Sequence, residues 1–233
     1  MVYTSDYPFV YLTVDIVVLT IRDDKLQALA VRRGEEPYAG KWALPGGFVG
    51  QDEDLEVAAL RELREETAVT PRGVRLEQLK TYGAPRRDPR HRVISVAWLA
   101  VLPEGPDPVA GTDAASAEWQ PVEALLKRGQ LAFDHAVILT DGMERARAKI
   151  EYSSLALSFV RREFTIADLR RVYEVVWGRD LDAGNFHRKV TGAQGLVVAT
   201  GRQRNQERGR PAELYVSGGA DALHPPLTRE VLR

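Results

Sequence analysis

Gly47-Phe48-Val49-Gly50-Gln51-Asp52-Glu53, then seven residues, then Arg61-Glu62-Leu63-Arg64-Glu65-Glu66: this stretch decides how the first half of the chain folds. From Asp54 to Glu66 there is no Gly or Pro, and Leu55, Ala58, Ala59 and Leu63 recur at helical spacing. The pattern predicts an amphipathic helix. Glu62, Glu65 and Glu66 sit at i, i+3 and i+4, so they share one face. Like charges at that spacing repel by roughly 0.2–0.5 kcal/mol per pair, and a divalent cation reverses the sign. Mg2+ takes carboxylate oxygens together with waters and phosphates. Arg61, four residues before Glu65, can orient it. Glu53 can reach back to Arg61 or position a water. Leu44-Pro45-Gly46-Gly47 breaks the chain ahead of the helix, and its glycines let backbone approach a phosphate closely. A Glu-rich helix is ordinarily a solvated face laced with ion pairs. The fixed lead-in from Gly47 through Glu53 is what argues for a site.

Around this helix the chain reads as strands. Val14–Arg22 and Gln27–Arg33 are joined by the turn Asp23-Asp24-Lys25, and Arg92–Val101 is a third apolar run. Ala117–Pro121 reads as a short final strand. The pattern turns helical from Phe133 to Tyr152, which marks a connecting helix. A second unit follows. Thr165 with Asp168 has capping-box spacing ahead of a helix through Leu169, Val172, Tyr173 and Val176 that ends near Gly178. Asp182 can cap the next helix, from Ala183 to about Thr191. Leu196–Ala199 and Ala212–Val216 then flank a polar turn. Two short helices followed by a hairpin is the order of a winged helix-turn-helix. The expected domains are therefore 1–150 and 151–233.

Charge follows the same division. The whole chain carries 32 Lys/Arg against 33 Asp/Glu, a balance that taken alone argues against a nucleic-acid partner. Residues 151–233 carry 13 basic against 10 acidic residues, while 1–150 carry 19 against 23. Between Ala183 and Ala212 there are six basic residues and one acid. The near-zero total hides a basic patch on the second helix and the hairpin. There is no cysteine, which excludes disulfide frameworks, thiolate metal sites and cysteine nucleophiles and fits a reducing cytoplasm. The long apolar run near the start, Phe9 to Ile21, is β-branched and broken by Asp15, so it reads as a buried strand and not a membrane span.

The spacing Gly47, Glu53, Arg61-Glu62-Leu63, Glu65-Glu66 and Val69 resembles the signature of the Nudix family. The final Gly of that signature is Ala68 here. A Gly there closes the helix in a left-handed conformation, and an Ala held in it costs on the order of 1 kcal/mol unless the turn relaxes. The resemblance implies an α/β/α sandwich with a mixed sheet that binds nucleoside diphosphates linked to another group. It implies Glu62, Glu65 and Glu66 as ligands of Mg2+ or Mn2+, with Glu53, Arg61 and Glu65 in the catalytic set. Arg32–Phe48 and Tyr82–Val93 resemble the branch of the family that recognises ADP-ribose. For such a ligand Trp42 or Tyr82 can stack on adenine, and Arg33, Arg86 or Arg92 can fork onto the diphosphate beside Gly46 and Gly47. Trp42 also fits a core position. Phe133-Asp134-His135 reads as a helix cap with a packed histidine. Gly111-Thr112-Asp113 and Glu118 are candidates for a further acid at the metal site.

The pairing of this Nudix branch with a winged helix resembles the NrtR family, Nudix-related transcriptional regulators of NAD metabolism, across nearly the whole chain. Phe164–Tyr173, Asn185–Val190 and Gly209–Tyr215 carry the second part of that likeness. The resemblance implies a homodimer that represses by binding double-stranded operator DNA and lets go when ADP-ribose or a related nucleotide binds. Residue chemistry supports the DNA role separately. Asn185, His187, Arg188 and Lys189 line a short helix suited to the major groove. Arg202, Arg204, Arg208 and Arg210 lie on the hairpin, where they can meet phosphates or a minor groove. Because every charged box residue is retained, the alternative is a Nudix ADP-ribose diphosphatase with an accessory tail, and the two activities are compatible.

Overall fold

Asp23 and Asp24 both hold positive φ, 50° and 57°, the backbone of a two-residue hairpin turn. They join β1 (Tyr11–Arg22) to β2 (Lys25–Arg33) in the computed structural model. Its described residues are 7–69, 76–103, 107–108, 114–205, 211–230 and 232. Every residue of β1 from Thr13 to Thr20 is buried, the mark of a strand covered on both faces. β3 (Trp42–Ala43) and β4 (Gly46–Phe48) follow, then α1 (Leu55–Thr67), β5 (Glu77–Tyr82), β6 (Val93–Val101) and β7 (Ala114–Pro121). α2 (Val122–Leu125) and α3 (His135–Tyr152) complete the first part of the chain.

The strands make one seven-stranded sheet in the order β3-β2-β1-β6-β5, with β4 pairing β1 and β7 pairing β2. The β1–β6 partners climb together: the Tyr11 N–H donates to Arg92 C=O, the Thr13 hydroxyl to Ile94 C=O and the Thr20 hydroxyl to Leu102 C=O. That register is parallel, whereas β5 and β6 pair antiparallel around a bulge between Gln78 and Lys80. The sheet is therefore mixed, as expected. β3, β4 and β5 were not foreseen. The first two are only 2 and 3 residues long, and β5 mixes charged and apolar residues without alternation.

Asp54 caps α1 by accepting the Glu56 N–H at 3.1 Å. Ala58, Ala59, Leu63 and Thr67 are the buried stripe of that helix, so the carboxylates lie off the packed face. The helix ends on Ala68, which adopts the left-handed conformation with φ 54°, and its N–H donates to Arg64 C=O at 2.9 Å. Of the two outcomes foreseen at this position, strain and not relaxation is the one observed. α3 begins at His135, just after the expected cap position at Asp134, and Phe133 before it has φ 50°, which is not helical.

The chain divides into two compact units. One comprises the chain to Leu19, Ala28–Ala100 and Pro106–Gly142. The other comprises Thr20–Gln27, Val101–Gly105 and the chain from Met143. In the second unit a 3-10 turn (Ser154–Phe159) leads into α4 (Ile166–Trp177) and α5 (Ala183–Gly192), then β8 (Val197–Arg204) and β9 (Ala212–Ser217). The Thr165–Asp168 capping box is formed, and Gly178 ends α4 with φ 69°. Tyr173 is fully buried between Trp177 and Phe186, its ring edge-on to both at 4.9 and 5.3 Å. The Tyr173 hydroxyl donates to Ile150 C=O and the Trp177 indole N–H to Arg147 C=O. β8 and β9 pair antiparallel, and Phe164 adds a one-residue bridge to Tyr215. This is the expected winged helix, with a third strand position reduced to that bridge. Among the described residues no helix is long and apolar enough to cross a membrane.

Ala68→Gly relieves the left-handed strain at the end of α1, offset in part by the greater chain entropy of Gly. The expected gain is about 1 kcal/mol, read as a higher urea midpoint at unchanged m-value. A midpoint equal to or below that of the parent chain would contradict it.

Candidate functional site

The site starts from two close approaches. β4 lies against β1 with Gly46 opposite Asp15 and Gly47 opposite Val14. A Cβ on Gly46 would fall 2.1 Å from Val14 C=O, and one on Gly47 would fall 2.4 Å from Glu62 Oε1. Only glycine lets the loop run between strand and carboxylate helix. The Gly46 N–H then donates to Glu66 Oε2 at 3.0 Å.

Arg61 organises the remaining acids. Its Nε and Nη2 donate to the two oxygens of Glu53 at 2.7 and 2.9 Å. Its Nη1 donates to Glu62 at 2.7 Å and to Glu65 at 3.0 Å, and Nη2 also reaches Phe48 C=O at 3.1 Å. The bond to Arg61, aided by the Gly50 N–H, pulls the Glu53 pKa down to about 2. Burial pushes Glu62 up, and the contact with Arg61 offsets only part of that. Glu66 is pushed up to about 8 by burial, against the Gly46 N–H bond and with further repulsion from Glu62 and Asp15.

Glu62 and Glu66 line one side of a cavity of about 420 Å³. Its floor is a charged cluster that sequence reading had not assembled. The Arg87 side chain is 4% exposed and donates to both oxygens of Asp134 and to Asp15 Oδ2. Burial works against the Arg87 charge, but these two carboxylates outweigh it and raise its pKa. Asp15 also accepts the Ser95 hydroxyl, and its other oxygen lies 3.3 Å from His135 Nε2. The Leu44 N–H donates to His135 Nδ1 at 2.9 Å. That nitrogen therefore carries no proton, and burial lowers the pKa of the imidazole. His135 is packed, as expected, while the Asp134 carboxylate binds Arg87.

Phe133 lines the same cavity. The guanidinium carbons of Arg33 and Arg90 stand 4.9 and 5.6 Å from its ring centre, and Tyr38 meets its edge at 5.0 Å. Burial depresses the Arg33 pKa, and nearby Arg90 adds to that. Two cations beside one aromatic ring suit a polyanionic ligand.

Of the expected ligand-binding residues, Arg33, Gly46 and Gly47 line this cavity. Trp42, Tyr82, Arg86 and Arg92 do not. Trp42 sits on β3 with Arg32 over its ring at 5.2 Å. Tyr82 is 7% exposed and its hydroxyl donates to Asp141, so its face is not free to stack. Arg92 bonds Ala84 C=O, and Arg86 is exposed one residue before the arginine that does reach the floor. Glu118 is exposed and accepts from Gln120. Gly111-Thr112-Asp113, Arg208 and Arg210 lie outside the described residues. The missed residues are Asp15, Arg87, Arg90 and Phe133. Asp15 had a signal: an acid inside a strand buried on both faces must find a partner.

Hard carboxylate oxygens, one of them half-buried at a raised pKa, are the donor type that Mg2+ or Mn2+ takes. Among the described residues, however, no three acidic or histidine side chains converge as one metal shell. Glu65 is exposed and held by Arg61, apart from Glu66. Mg2+ often uses one or two carboxylates with phosphate oxygens and waters, so Glu62 and Glu66 fit such an ion, with Glu65 at the edge.

In the second unit α5 buries Phe186 and Val190 and exposes His187 and Arg188. Asn185 accepts from Arg188 at 2.9 Å, and Lys189 is half-buried. Arg202 and Arg204 are both ion-paired, with Glu163 and Asp168.

The NUDIX domain profile matches residues 12–141, and the profile of the NrtR DNA-binding winged helix domain matches 156–216. This is a Nudix protein with a winged helix joined to it. The chain is 33% identical to the ADPR responsive transcriptional repressor NtrR of Acinetobacter baylyi, over 91% of this chain and 83% of that one. A crystal structure of Shewanella oneidensis NrtR complexed with a 27mer DNA superposes with a TM-score of 0.74 at 35% identity, over 88% of this chain and 93% of that one. The NUDIX domain of that protein complexed with ADP ribose superposes at 0.55 and 36% identity, over 60% and 90%. The chain belongs to the NrtR family of Nudix-related regulators.

Two outcomes test the site. In EDTA the folded chain holds a proton on Glu66 up to about pH 8, whereas an exposed glutamate near 4.5 has lost it. The stabilisation is then complete below the unfolded pKa and is lost as pH rises toward 8. Glu66→Gln should flatten the Tm profile between about pH 5 and 8 and raise Tm at the alkaline end. An unchanged slope would contradict it. Arg87→Met leaves two carboxylates unpaired at the floor and should destabilise the chain by about 3–5 kcal/mol in urea unfolding. A change below about 1 kcal/mol would show that the cluster does not hold the fold.

Proposed function

We propose that this chain is a transcriptional repressor of NAD metabolism that binds operator DNA as a homodimer and releases it when ADP-ribose, or a related nucleotide, fills the Nudix cavity. Residues 1–150 are the sensor and 151–233 the DNA-binding domain, acting in the cytoplasm. One observation carries this reading: a single chain matches both domain profiles and aligns along 91% of its length with a repressor described as ADPR responsive. A two-fold operator needs paired winged helices, which is the reason for a dimer.

The cavity suits its ligand chemically. Arg33 and Arg90 face a diphosphate, and Phe133 keeps their charges beside an apolar surface. Glu62 and Glu66, with Glu65 beside them, would hold Mg2+ or Mn2+. When bound, the metal neutralises diphosphate charge and acidifies a water. On the other domain α5 presents His187 and Arg188, backed by Asn185 and Lys189.

In a gel shift with its upstream DNA, the chain should retard the duplex, and ADP-ribose should weaken binding about tenfold or more. Arg188→Ala with Lys189→Ala should weaken binding and flatten its salt dependence. No retardation, or retardation indifferent to ADP-ribose, would overturn the reading.

The retained charged box favours a second activity beside the first, metal-dependent cleavage of the bound nucleotide. With Mg2+ and ADP-ribose the expected products are AMP and ribose 5-phosphate, and Glu65→Gln should abolish them. No product from the parent chain leaves a sensor without turnover.

A further inference from the structure

Arg204 pairs with Ala212 in the β8–β9 ladder, and Arg202 lies in the bulge just before it. Both are engaged by acids near the start of α4. Arg202 bonds Glu163. One Nη of Arg204 reaches both oxygens of Asp168, at 2.7 and 2.8 Å, and the Thr165 hydroxyl at 3.3 Å. Asp168 is already committed to its own helix. Its Oδ2 accepts the Thr165 N–H at 2.8 Å, while the Thr165 hydroxyl accepts the Asp168 N–H at 3.1 Å. One carboxylate thus fixes the first turn of α4 and the root of the hairpin together. The Phe164–Tyr215 bridge ties the same α4 lead-in to β9.

In a domain that meets a polyanion, every carboxylate weakens binding by its charge alone. Asp168 caps α4, but its second contact, with Arg204, places a carboxylate beside the hairpin where its charge alone opposes binding. We propose that Asp168 is a positioning residue for DNA recognition: through Arg204 it sets the hairpin against α4, and Arg204 is the hairpin's anchor and not a phosphate contact. This rests on the DNA-binding reading above and departs from the simple expectation that each hairpin arginine meets a phosphate.

The two accounts differ in sign. If charge alone matters, Asp168→Asn tightens binding, and Arg204→Gln weakens it while lowering the slope of log K against log salt by about one. If Asp168 positions the hairpin, both variants weaken binding by the same factor, about tenfold. The salt slope stays that of the parent chain, and the double variant is no worse than either single one. Affinity for a scrambled duplex of the same length is unchanged.

The measurement is fluorescence anisotropy of the full chain across a salt series. The probe is the duplex that the parent chain selects from a randomised library. Asp168→Asn keeps an oxygen acceptor for the capping box, and Asp168→Glu, which keeps cap and charge, should bind as the parent does. Arg204→Gln leaves the capping box intact, so it decides alone through the salt slope should Asp168→Asn not fold. Binding by Asp168→Asn as tight as the parent or tighter, or a slope lowered by about one in Arg204→Gln, overturns the inference. If the parent selects no duplex at all, the DNA-binding reading itself has failed.

Discussion

Three carboxylates within five residues of one helix, with a fourth folded back from the loop before it, need a cation if they are to lie together. Arg61 supplies it from inside the same helix. Its guanidinium holds Glu53, Glu62 and Glu65 and reaches the carbonyl of Phe48. Loop and helix are thereby fastened at one point, and the glycines at 46 and 47 can run between β1 and Glu62. Glu66 is the one acid of this group on the helix that Arg61 does not bind. It takes the Gly46 N–H, and desolvation pushes its pKa up to about 8. The box therefore contains two environments: an ion-paired rim and a poorly compensated inner carboxylate.

The floor of the cavity follows a different rule. Asp15, Arg87 and Asp134 are side chains from β1, a loop and the start of α3, and burial makes each dependent on the others. A buried ion pair is weak evidence for stability, but removing one member leaves an uncompensated charge. The cluster therefore fixes the shape of the cavity more than it adds to the strength of the fold. His135, with its Nδ1 committed to the Leu44 N–H, ties the β3–β4 connection to that floor.

How legible was this in the sequence? The helix and its end near Ala68 followed from spacing and residue type, because these signals are local. So did the capping box at Thr165 and a turn at Asp23-Asp24-Lys25, of which Lys25 proves to be the first residue of β2. The metal-type acids were legible as a group, but their division between Arg61 and Gly46 was not, since it depends on which face each side chain meets. Of the arginines named for a diphosphate, Arg33 lines the cavity, while the other two fall one or two positions away from those that do. Arg86 and Arg92 were named where Arg87 and Arg90 reach the cavity. A loop offers no periodicity to say which side chain turns inward. Asp15 was visible as an interruption in an apolar run, yet its partner lies 72 residues away.

The aromatic packing of the second unit has a practical side. Of the four tryptophans in the chain, Trp42, Trp98 and Trp119 lie in the first unit and Trp177 in the second. Trp177 is nearly buried against Tyr173, with the guanidiniums of Arg179 and Arg229 at 5.5 and 5.9 Å from its ring. The winged helix therefore carries its own optical label. With the other three indoles replaced by phenylalanine, the emission of Trp177 reports the integrity of that half of the molecule separately from the half that contains the carboxylate helix.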